Sequence, residues 1–327
     1  MSIVIPRTPF ECAALRYIRH HRALGKLFEK DAWVLGWVAR HLKEHQARDL
    51  DAPLFEVWLR SQQHTSGTSR RHHALIVRKF CRYRQRTEPC CFVPDPLYFP
   101  RRTPPIQPVI VGPREIARML ERIEAWPANA QHPLYKANYR MALILLYTAG
   151  LRRGELVRLT LNDVDLTNAT LRIRESKFHK TRIVPLSSSA CRELRRYLKV
   201  RLAAPWDISA GAPLLGDQHG SVHFRAYVPA AICHGVNKAF RDAEIRDPHG
   251  RYPRVHDLRH SFAVQALLRW YRAGVDVQAK LPQLSMYMGH VSIVSTAHYL
   301  HFIPEVAGAA HRLLSRHFGA LARGGVR

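Results

Sequence analysis

The chain has 327 residues, 46% of them hydrophobic, and carries 51 lysine and arginine residues against 25 aspartate and glutamate residues. That length and apolar content predict a packed protein with room for two cores, and they exclude a disordered binder. The formal net charge of +26 favours a polyanionic partner, and nucleic acid is the expected class.

The positive charge is distributed along the whole chain. Residues 1–110 contain 19 basic and 9 acidic residues, and the remaining residues contain 32 and 16. Because a detachable basic tail would concentrate the charge at one end, we expect both halves to contact a phosphate backbone. The alternative explanation is a proteome that is rich in arginine throughout.

Cysteine usage and hydropathy indicate the compartment. The N-terminus lacks a charged region followed by an apolar stretch, and no run of about 18 apolar residues occurs. The six cysteines show no CxxC spacing, which predicts reduced thiols: Cys12, Cys81, Cys90, Cys91, Cys191 and Cys233. We therefore expect a soluble cytoplasmic protein, associated with the nucleoid and without a membrane segment.

Residues 1–95 show helical periodicity and predict an N-terminal α-helical domain. Its most informative segment is a basic helix expected from Ser69 to Arg86, with Ser69 as the cap. Five basic side chains on this helix are candidates for DNA binding: Arg70, Arg71, Arg78, Lys79 and Arg82. Such a helix could lie along a DNA groove, and the alternative is a solvated basic face.

Seven prolines between Pro94 and Pro113 predict an extended linker at residues 96–112, because proline stops helices and stiffens an extended chain. Residues 113–303 return to helical periodicity, interrupted by two short strand patterns at 171–173 and 183–185. Helices are expected at residues 113–126, 134–148, 188–203, 227–245, 257–272, 278–288 and 291–301. The predicted fold class is mainly α with a small antiparallel β-sheet, followed by a C-terminal segment at residues 304–327.

The first candidate site motif is Gly-Leu-Arg-Arg-Gly-Glu-Leu at residues 150–156. Gly150 can end one helix in the left-handed conformation, which places Arg152 at the N-terminus of the next helix. Backbone N–H groups at a helix N-terminus favour a phosphate, so Arg152 is a candidate phosphate ligand. Arg153 is a candidate for a second phosphate contact.

The second motif is His-Asp-Leu-Arg-His at residues 256–260. His256 and Arg259 are three residues apart, so one helical face carries both and they can reach the same phosphate. His256 and His260 also have the spacing of a zinc site, but aspartate stands where such a site has glutamate, and no third ligand is evident nearby. We expect no metal site.

These motifs, in this order, resemble the tyrosine recombinase family, also called phage-type integrases. Two further segments carry the resemblance: Lys-Phe-His-Lys-Thr-Arg-Ile-Val-Pro-Leu at residues 177–186, and Gly289-His290 followed nine residues later by Tyr299. The resemblance covers residues 113–303 and implies six catalytic residues: Arg152, Lys177, His256, Arg259, His290 and Tyr299. Arg153 departs from the family's small or polar residue, and the stretch between Arg259 and His290 is longer than usual.

The resemblance implies a mechanism. Tyr299 would attack a DNA phosphate and form a 3′-phosphotyrosyl link, while Lys177, favoured over Lys180, would protonate the leaving 5′-oxygen. Arg152, Arg259 and His290 would stabilise the charge, His256 would assist proton transfer, and Glu155 would orient Arg152. A lone tyrosine on an amphipathic helix is more often a core residue, and the neighbouring motifs favour the catalytic interpretation here.

The resemblance also implies the partners. They are double-stranded DNA and a homotetramer on paired DNA sites, with the C-terminal segment passed to a neighbour and with no cofactor, metal or ATP. The absence of a recognisable N-terminal motif favours an enzyme of a mobile element. Two alternatives stay open: DNA relaxation like that of a type IB topoisomerase, and a non-catalytic DNA-binding regulator on a recombinase scaffold.

Overall fold

The computed structural model describes residues 8–104, 106–174, 181–203, 207–218 and 224–289, together with Gly308, His311 and Arg312. The chain divides into two compact units, residues 1–106 and residues 107–327. Each unit has a hydrophobic core of its own. Within the described ranges, no helix combines the length and the apolar content that crossing a bilayer requires.

The first unit contains helices α1 (Pro9–Ala23), α2 (Glu29–Glu44), α3 (Ala52–Arg60) and α4 (Gly67–Arg84), and a 3-10 turn at Pro96–Tyr98. Side-chain caps explain where two of these helices begin. Thr8 and Glu11 form a capping box at α1, and Asp51 Oδ1 accepts the Leu54 N–H at 2.9 Å at α3. The helices surround a core in which Trp58 and Phe80 are fully buried.

Helix α4 begins earlier than the sequence predicts. Ser66, rather than Ser69, is its cap, since Ser66 Oγ accepts the Ser69 N–H at 3.2 Å. Ser69, the cap that the sequence predicts, thus donates its backbone N–H to Ser66, the cap that the structure shows. The helix therefore begins at Gly67, two residues earlier than predicted.

The proline-rich chain that follows α4 runs along that helix. Arg71 Nη1 donates to the Pro100 carbonyl at 3.4 Å, and Arg78 Nη1 donates to the Pro94 carbonyl. Thr103 N donates to Thr68 Oγ1 at 2.9 Å. Because proline removes backbone donors that would pair these carbonyls, side chains of α4 take over that task.

The second unit contains seven α-helices, a 3-10 turn at Leu161–Asp163 and five strands among its described residues. The helices are α5 (Pro113–Glu124), α6 (Tyr135–Thr148), α7 (Arg153–Leu156), α8 (Ser188–Leu202), α9 (Pro229–Asp242), α10 (Val255–Arg272) and α11 (Val277–Met288). The strands are β1 (Val164–Asp165), β2 (Thr170–Ile173), β3 (Arg182–Pro185), β4 (Gly216–Gln218) and β5 (Phe224–Ala226). They form an antiparallel sheet in the order β1-β2-β3 and a separate antiparallel pair, β4 and β5.

Helix α6 lies at the centre of this unit. Its residues from Met141 to Leu146 are all buried, and it packs against α5, α8, α9 and α10. The six successive apolar residues of this stretch cover every side of the helix, so this part of α6 is stable only when it is surrounded, which explains its central place. The end of α6 leads directly into the turn that carries Arg152.

The three-stranded sheet packs its inner face against the core of the second unit. Leu171 of β2 pairs with Val184 of β3, and both side chains are fully buried. Side chains alternate between the faces of a strand, so Arg182, two residues before Val184, also lies on the inner side. The mainly helical fold with a small antiparallel sheet is confirmed, while the β4–β5 pair was not predicted, because neither Gly216–Gln218 nor Phe224–Ala226 contains a β-branched residue.

Candidate active site

Gly150 makes the turn that presents Arg152. Its φ of +59° lies in the left-handed region, and an added Cβ would lie 2.5 Å from Cδ1 of Phe262. Both the backbone conformation and the contact with α10 therefore require glycine. Arg152 follows as the N-cap residue of α7, with an extended φ of −72° and ψ of 146°.

Arg152 is held by two partners within the protein. Its Nη1 donates to Glu155 Oε1 at 2.7 Å, and its Nη2 donates to the Gly289 carbonyl at 2.8 Å. The side chain keeps 25% of its surface exposed. It is thus oriented from inside the protein while one side remains open to an incoming anion.

Glu155 is a buried carboxylate between two arginines. Its side chain is 2% exposed and receives two hydrogen bonds from Arg182, Nη1 to Oε1 at 2.9 Å and Nη2 to Oε2 at 2.8 Å. Burial alone would raise the pKa of Glu155, but the hydrogen bonds from Arg182 and Arg152 outweigh it and lower the pKa to about 2. The carboxylate is therefore ionised throughout the neutral range.

Arg259 lies in α10, 2% exposed. Its Nη1 donates to the Gly150 carbonyl at 2.5 Å, and its Nη2 donates to the Met288 carbonyl. Arg152 and Arg259 thus hold adjacent carbonyls, those of Gly289 and Met288. The structure brings these two candidates together at the residues that directly precede His290.

His256 and His260 stack edge to face, with ring centroids 4.8 Å apart. Burial and the positive charges of Arg259, Arg254 and Arg152 lower the pKa of His256, although Asp257 acts in the opposite direction. Burial and the neighbouring His256 lower the pKa of His260 to about 4. Both imidazoles are therefore neutral near pH 7, and a neutral imidazole can accept a proton.

Asp257, between the two histidines in sequence, fixes the start of α10. It is 1% exposed and accepts hydrogen bonds from the Arg254 backbone N–H at 3.0 Å and from Arg254 Nη2 at 2.9 Å. Its carboxylate therefore caps a helix rather than acting as the base of a metalloprotease, whose glutamate it would replace. Within the described residues, no group of three or more histidine, cysteine, aspartate or glutamate side chains is arranged to hold a metal ion.

A cleft of about 650 Å³ opens in front of Arg152 and His256. The described residues that line it include no carboxylate, and they are Leu151, Arg152, Arg153, Gly154, Cys233, Asn237, Arg241, Tyr252, Pro253, Arg254, Val255 and His256. Four arginines around one concavity favour an anionic ligand, and a guanidinium fork matches phosphate oxygens. Arg153 Nη1 also contacts Cys233 Sγ at 2.9 Å.

Three of the six catalytic candidates lie outside the described residues: Lys177, His290 and Tyr299. So do the competitor Lys180, the expected helix at 291–301 and most of the C-terminal segment. The described chain reaches to both sides of Lys177, at Arg174 and Thr181, and reaches Gly289 directly before His290.

The basic candidates of α4 fall into two groups. Lys79 and Arg82 are exposed and line a cleft of about 620 Å³ together with Tyr17, His20, His21, Tyr83, Gln85 and Arg86. Arg71 and Arg78 instead hold the carbonyls of Pro100 and Pro94, and Arg70 is half-buried. The candidate surface for a phosphate backbone on this helix is therefore centred on Lys79 and Arg82.

Sequence reasoning missed one residue of this site, Arg182. Besides its two bonds to Glu155, its Nε donates to the Tyr287 carbonyl at 2.9 Å. The available signal was its place in the segment 177–186, five residues after Lys177 and two before Val184. That position did not indicate a role, because its partners are 27 and 105 residues away in sequence.

Comparisons with known proteins show the family of the chain. The sequence model described as "Phage integrase family" matches residues 113–305. "Putative integrase/recombinase y4rB" of Sinorhizobium fredii (strain NBRC 101917 / NGR234) is 33% identical over 94% of this chain and 97% of its own length. "Tyrosine recombinase XerC" of Pelobacter propionicus is 30% identical over 62% of this chain and 64% of its own.

Among solved structures, the Tn1549 transposon integrase in complex with transposon right end DNA is similar, with a TM-score of 0.64. The match covers 93% of this chain and 98% of that chain at 18% sequence identity. At that identity the likeness concerns the fold, which is the mainly helical architecture described above.

Proposed function

The chain belongs to the phage integrase family, and on that premise we propose that it is a site-specific DNA recombinase that cuts and rejoins strands through Tyr299. The observation that carries the proposal is the convergence of Arg152 and Arg259 on the carbonyls directly before His290. His256 lines the same arginine-rich cleft as Arg152. This arrangement supports a site for one phosphate next to the segment that contains Tyr299.

The proposed reaction exchanges one phosphodiester bond for another. The Tyr299 oxygen attacks phosphorus, a bond from phosphorus to tyrosine forms, and the bond from phosphorus to the 5′-oxygen breaks. The phenol proton passes to His256, whose lowered pKa keeps it neutral and able to accept it. Lys177 gives a proton to the departing 5′-oxygen, while Arg152, Arg259 and His290 stabilise the charge on the phosphate.

Rejoining reverses these steps with a 5′-hydroxyl from a second DNA. Because each step replaces one phosphodiester by another, the bond energy is conserved and the proposal includes no ATP, metal or cofactor. We also propose a homotetramer on two DNA sites and a C-terminal segment, residues 304–327, that passes to a neighbouring subunit. Mobile-element DNA is the proposed substrate class, consistent with the transposon integrase among the similar structures.

The test uses nicked duplexes made from the DNA that flanks the gene. A nick close to the cleavage site lets the freed 5′-hydroxyl fragment diffuse away, which traps the covalent adduct. Wild type, Tyr299→Phe and Tyr287→Phe are incubated with these duplexes in EDTA, and adducts that resist denaturant are measured by gel electrophoresis. Tyr287 is a matched control, because burial raises the pKa of its phenol to about 12 and its hydroxyl donates to the Pro185 carbonyl.

We expect adducts with wild type and Tyr287→Phe, and none with Tyr299→Phe, which should still bind DNA. An adduct that persists in Tyr299→Phe removes Tyr299 as the nucleophile. Salt-sensitive binding by all three proteins without any adduct would favour the non-catalytic regulator. Relaxation of a supercoiled plasmid without exchange between two sites would favour the topoisomerase-like alternative.

A further inference from the structure

Three arginines from three separate elements hold three successive carbonyls at the end of α11. Arg182 of β3 donates to Tyr287 O at 2.9 Å, Arg259 of α10 donates to Met288 O, and Arg152 donates to Gly289 O at 2.8 Å. The last carbonyls of a helix lack partners within the helix and carry the negative end of its dipole. Guanidinium groups therefore suit this position, and they hold the end of α11 up to Gly289, the residue directly before His290.

Arg182 differs from Arg152 in how its donors are used. Its Nη1 and Nη2 bind both oxygens of Glu155, and its Nε binds the Tyr287 carbonyl, so all three nitrogens are engaged inside the protein. Its side chain is 11% exposed, against 25% for Arg152. Every guanidinium nitrogen of Arg182 thus donates to a protein acceptor, whereas a quarter of the Arg152 side chain is exposed to solvent.

The geometry points to Arg182 as a positioning residue for the recombination reaction, an inference that rests on the function proposed above. It fixes Arg152 through the shared carboxylate of Glu155. Through the Tyr287 carbonyl it also fixes the turn at Gly289 that leads to His290. One side chain thereby links the carboxylate that holds Arg152 with the turn that directly precedes His290 in sequence.

Gly289 provides independent support for this role. Its φ of +64° caps α11 in the left-handed conformation, and an added Cβ would lie 3.0 Å from Nη1 of Arg182. Glycine therefore allows Arg182 to lie against the turn that it holds. A larger residue would have to displace the guanidinium that Glu155 shares with Arg152.

Loss of Arg182 has a defined physical consequence. Glu155 would keep its burial but lose two of its charge-assisted hydrogen bonds, and a buried charge without its partner is costly. Its carboxylate would then be free to reorient with Arg152, which would shift the guanidinium relative to the phosphate. A displacement of about 1 Å of such a group can lower a rate by roughly a hundredfold.

The experiment compares Arg182→Met with Arg172→Met, an exposed arginine on the neighbouring strand β2. Single-turnover adduct formation is measured at saturating protein, so that weaker binding of DNA does not lower the measured rate. Two substrates are used: the nicked duplex that the wild-type protein cleaves, and the same duplex with a methylphosphonate at the scissile position. The methylphosphonate lacks the negative charge that the arginines neutralise.

On the natural phosphate, Arg182→Met should form the adduct about tenfold to a hundredfold more slowly than wild type, with a similar Kd for DNA. On the methylphosphonate this loss should shrink to less than about threefold, because a misplaced Arg152 matters less when the phosphate is neutral. Arg172→Met should match wild type on both substrates. A general defect in folding would slow both reactions alike, and that result would overturn the assignment.

A double variant covers the case in which Arg182→Met fails to fold. Arg182→Met with Glu155→Gln removes both members of the buried pair, and Arg152 keeps a partly exposed side chain and its bond to the Gly289 carbonyl. If Arg182 acts through Glu155, the double variant should cleave no more slowly than the slower single variant. The inference would be contradicted if the rate losses of Arg182→Met and Glu155→Gln multiplied in the double variant, or if Arg182→Met formed the adduct at the wild-type rate. If the wild-type protein formed no adduct, the proposed function would be contradicted instead.

Discussion

At the scale of single residues, buried charge decides how this site is organised. Glu155 is ionised although it is 2% exposed, because Arg182 and Arg152 supply charge-assisted hydrogen bonds. A carboxylate in this state is a rigid acceptor that orients the guanidinium groups around it. The rigidity of Arg152 thus depends on a group that never contacts DNA in the proposed mechanism.

Glu155→Gln should change how stability depends on pH. The pKa of Glu155 is lowered from 4.5 to about 2, so its ionised form stabilises the fold by about 3 kcal/mol above roughly pH 5. That contribution is lost as the pH falls toward 2. Urea unfolding at several pH values should therefore show the advantage of wild type over Glu155→Gln narrowing on acidification, and a constant difference would contradict this role.

Arg259→Ala should lower the rate of adduct formation by at least about a hundredfold, by analogy with the loss of an oxyanion donor. Arg259 also holds the carbonyls of Gly150 and Met288, so its loss releases both sides of the site. Arg269→Ala, an exposed arginine of the same helix, is the control and should keep the wild-type rate. Near-normal cleavage by Arg259→Ala would remove Arg259 from the mechanism.

At the scale of elements, the junctions between helices carry the site. The turn from α6 to α7 presents Arg152, the first turn of α10 presents His256, and the end of α11 leads to His290. Helix termini expose backbone groups that phosphate and arginine can both satisfy. The proposed active site is therefore built where these elements end, while their middles form the core.

The turn at Gly150 gives a test at this scale. Gly150→Ala combines a φ of +59° with a Cβ 2.5 Å from Phe262, whereas Gly274→Ala combines a φ of +67° with no atom within 4 Å. Gly274→Ala, the control, should lose about 1 kcal/mol of stability through backbone strain alone. Gly150→Ala should lose roughly 1–3 kcal/mol more, because its Cβ overpacks against Phe262. Equal losses in denaturant unfolding would show that Phe262 yields without cost.

At the scale of the whole molecule, the net charge of +26 lies over both units. The exposed Lys79 and Arg82 belong to the first unit, and the arginine-rich cleft belongs to the second. Binding through several phosphates releases counterions, so the affinity for DNA should fall steeply with salt. We propose that both units take part in binding.

Charge-removing variants of each unit test that proposal. Lys79→Gln with Arg82→Gln, and Arg153→Gln with Arg241→Gln, should each lower the slope of log K against log salt by up to about 2. Arg60→Gln on α3 is the control, since that side chain is exposed and pairs with Glu56. An unchanged slope for either pair would exclude the corresponding surface from the DNA contact.

Local patterns in the sequence were enough to predict the fold class and the candidate phosphate ligands Arg152, His256 and Arg259, and the resemblance of the motifs to tyrosine recombinases indicated the family. The physical reason is that helix caps, left-handed glycines and i, i+3 spacings act within a few residues. Only the tertiary structure decided that Arg182 belongs to the site, that Arg71 and Arg78 hold a proline-rich segment, and that Ser66 caps α4. The three arginines bind partners that are 16 to 105 residues away in sequence, which local patterns cannot indicate. Between the two nearby serines, only the folded backbone selects the cap.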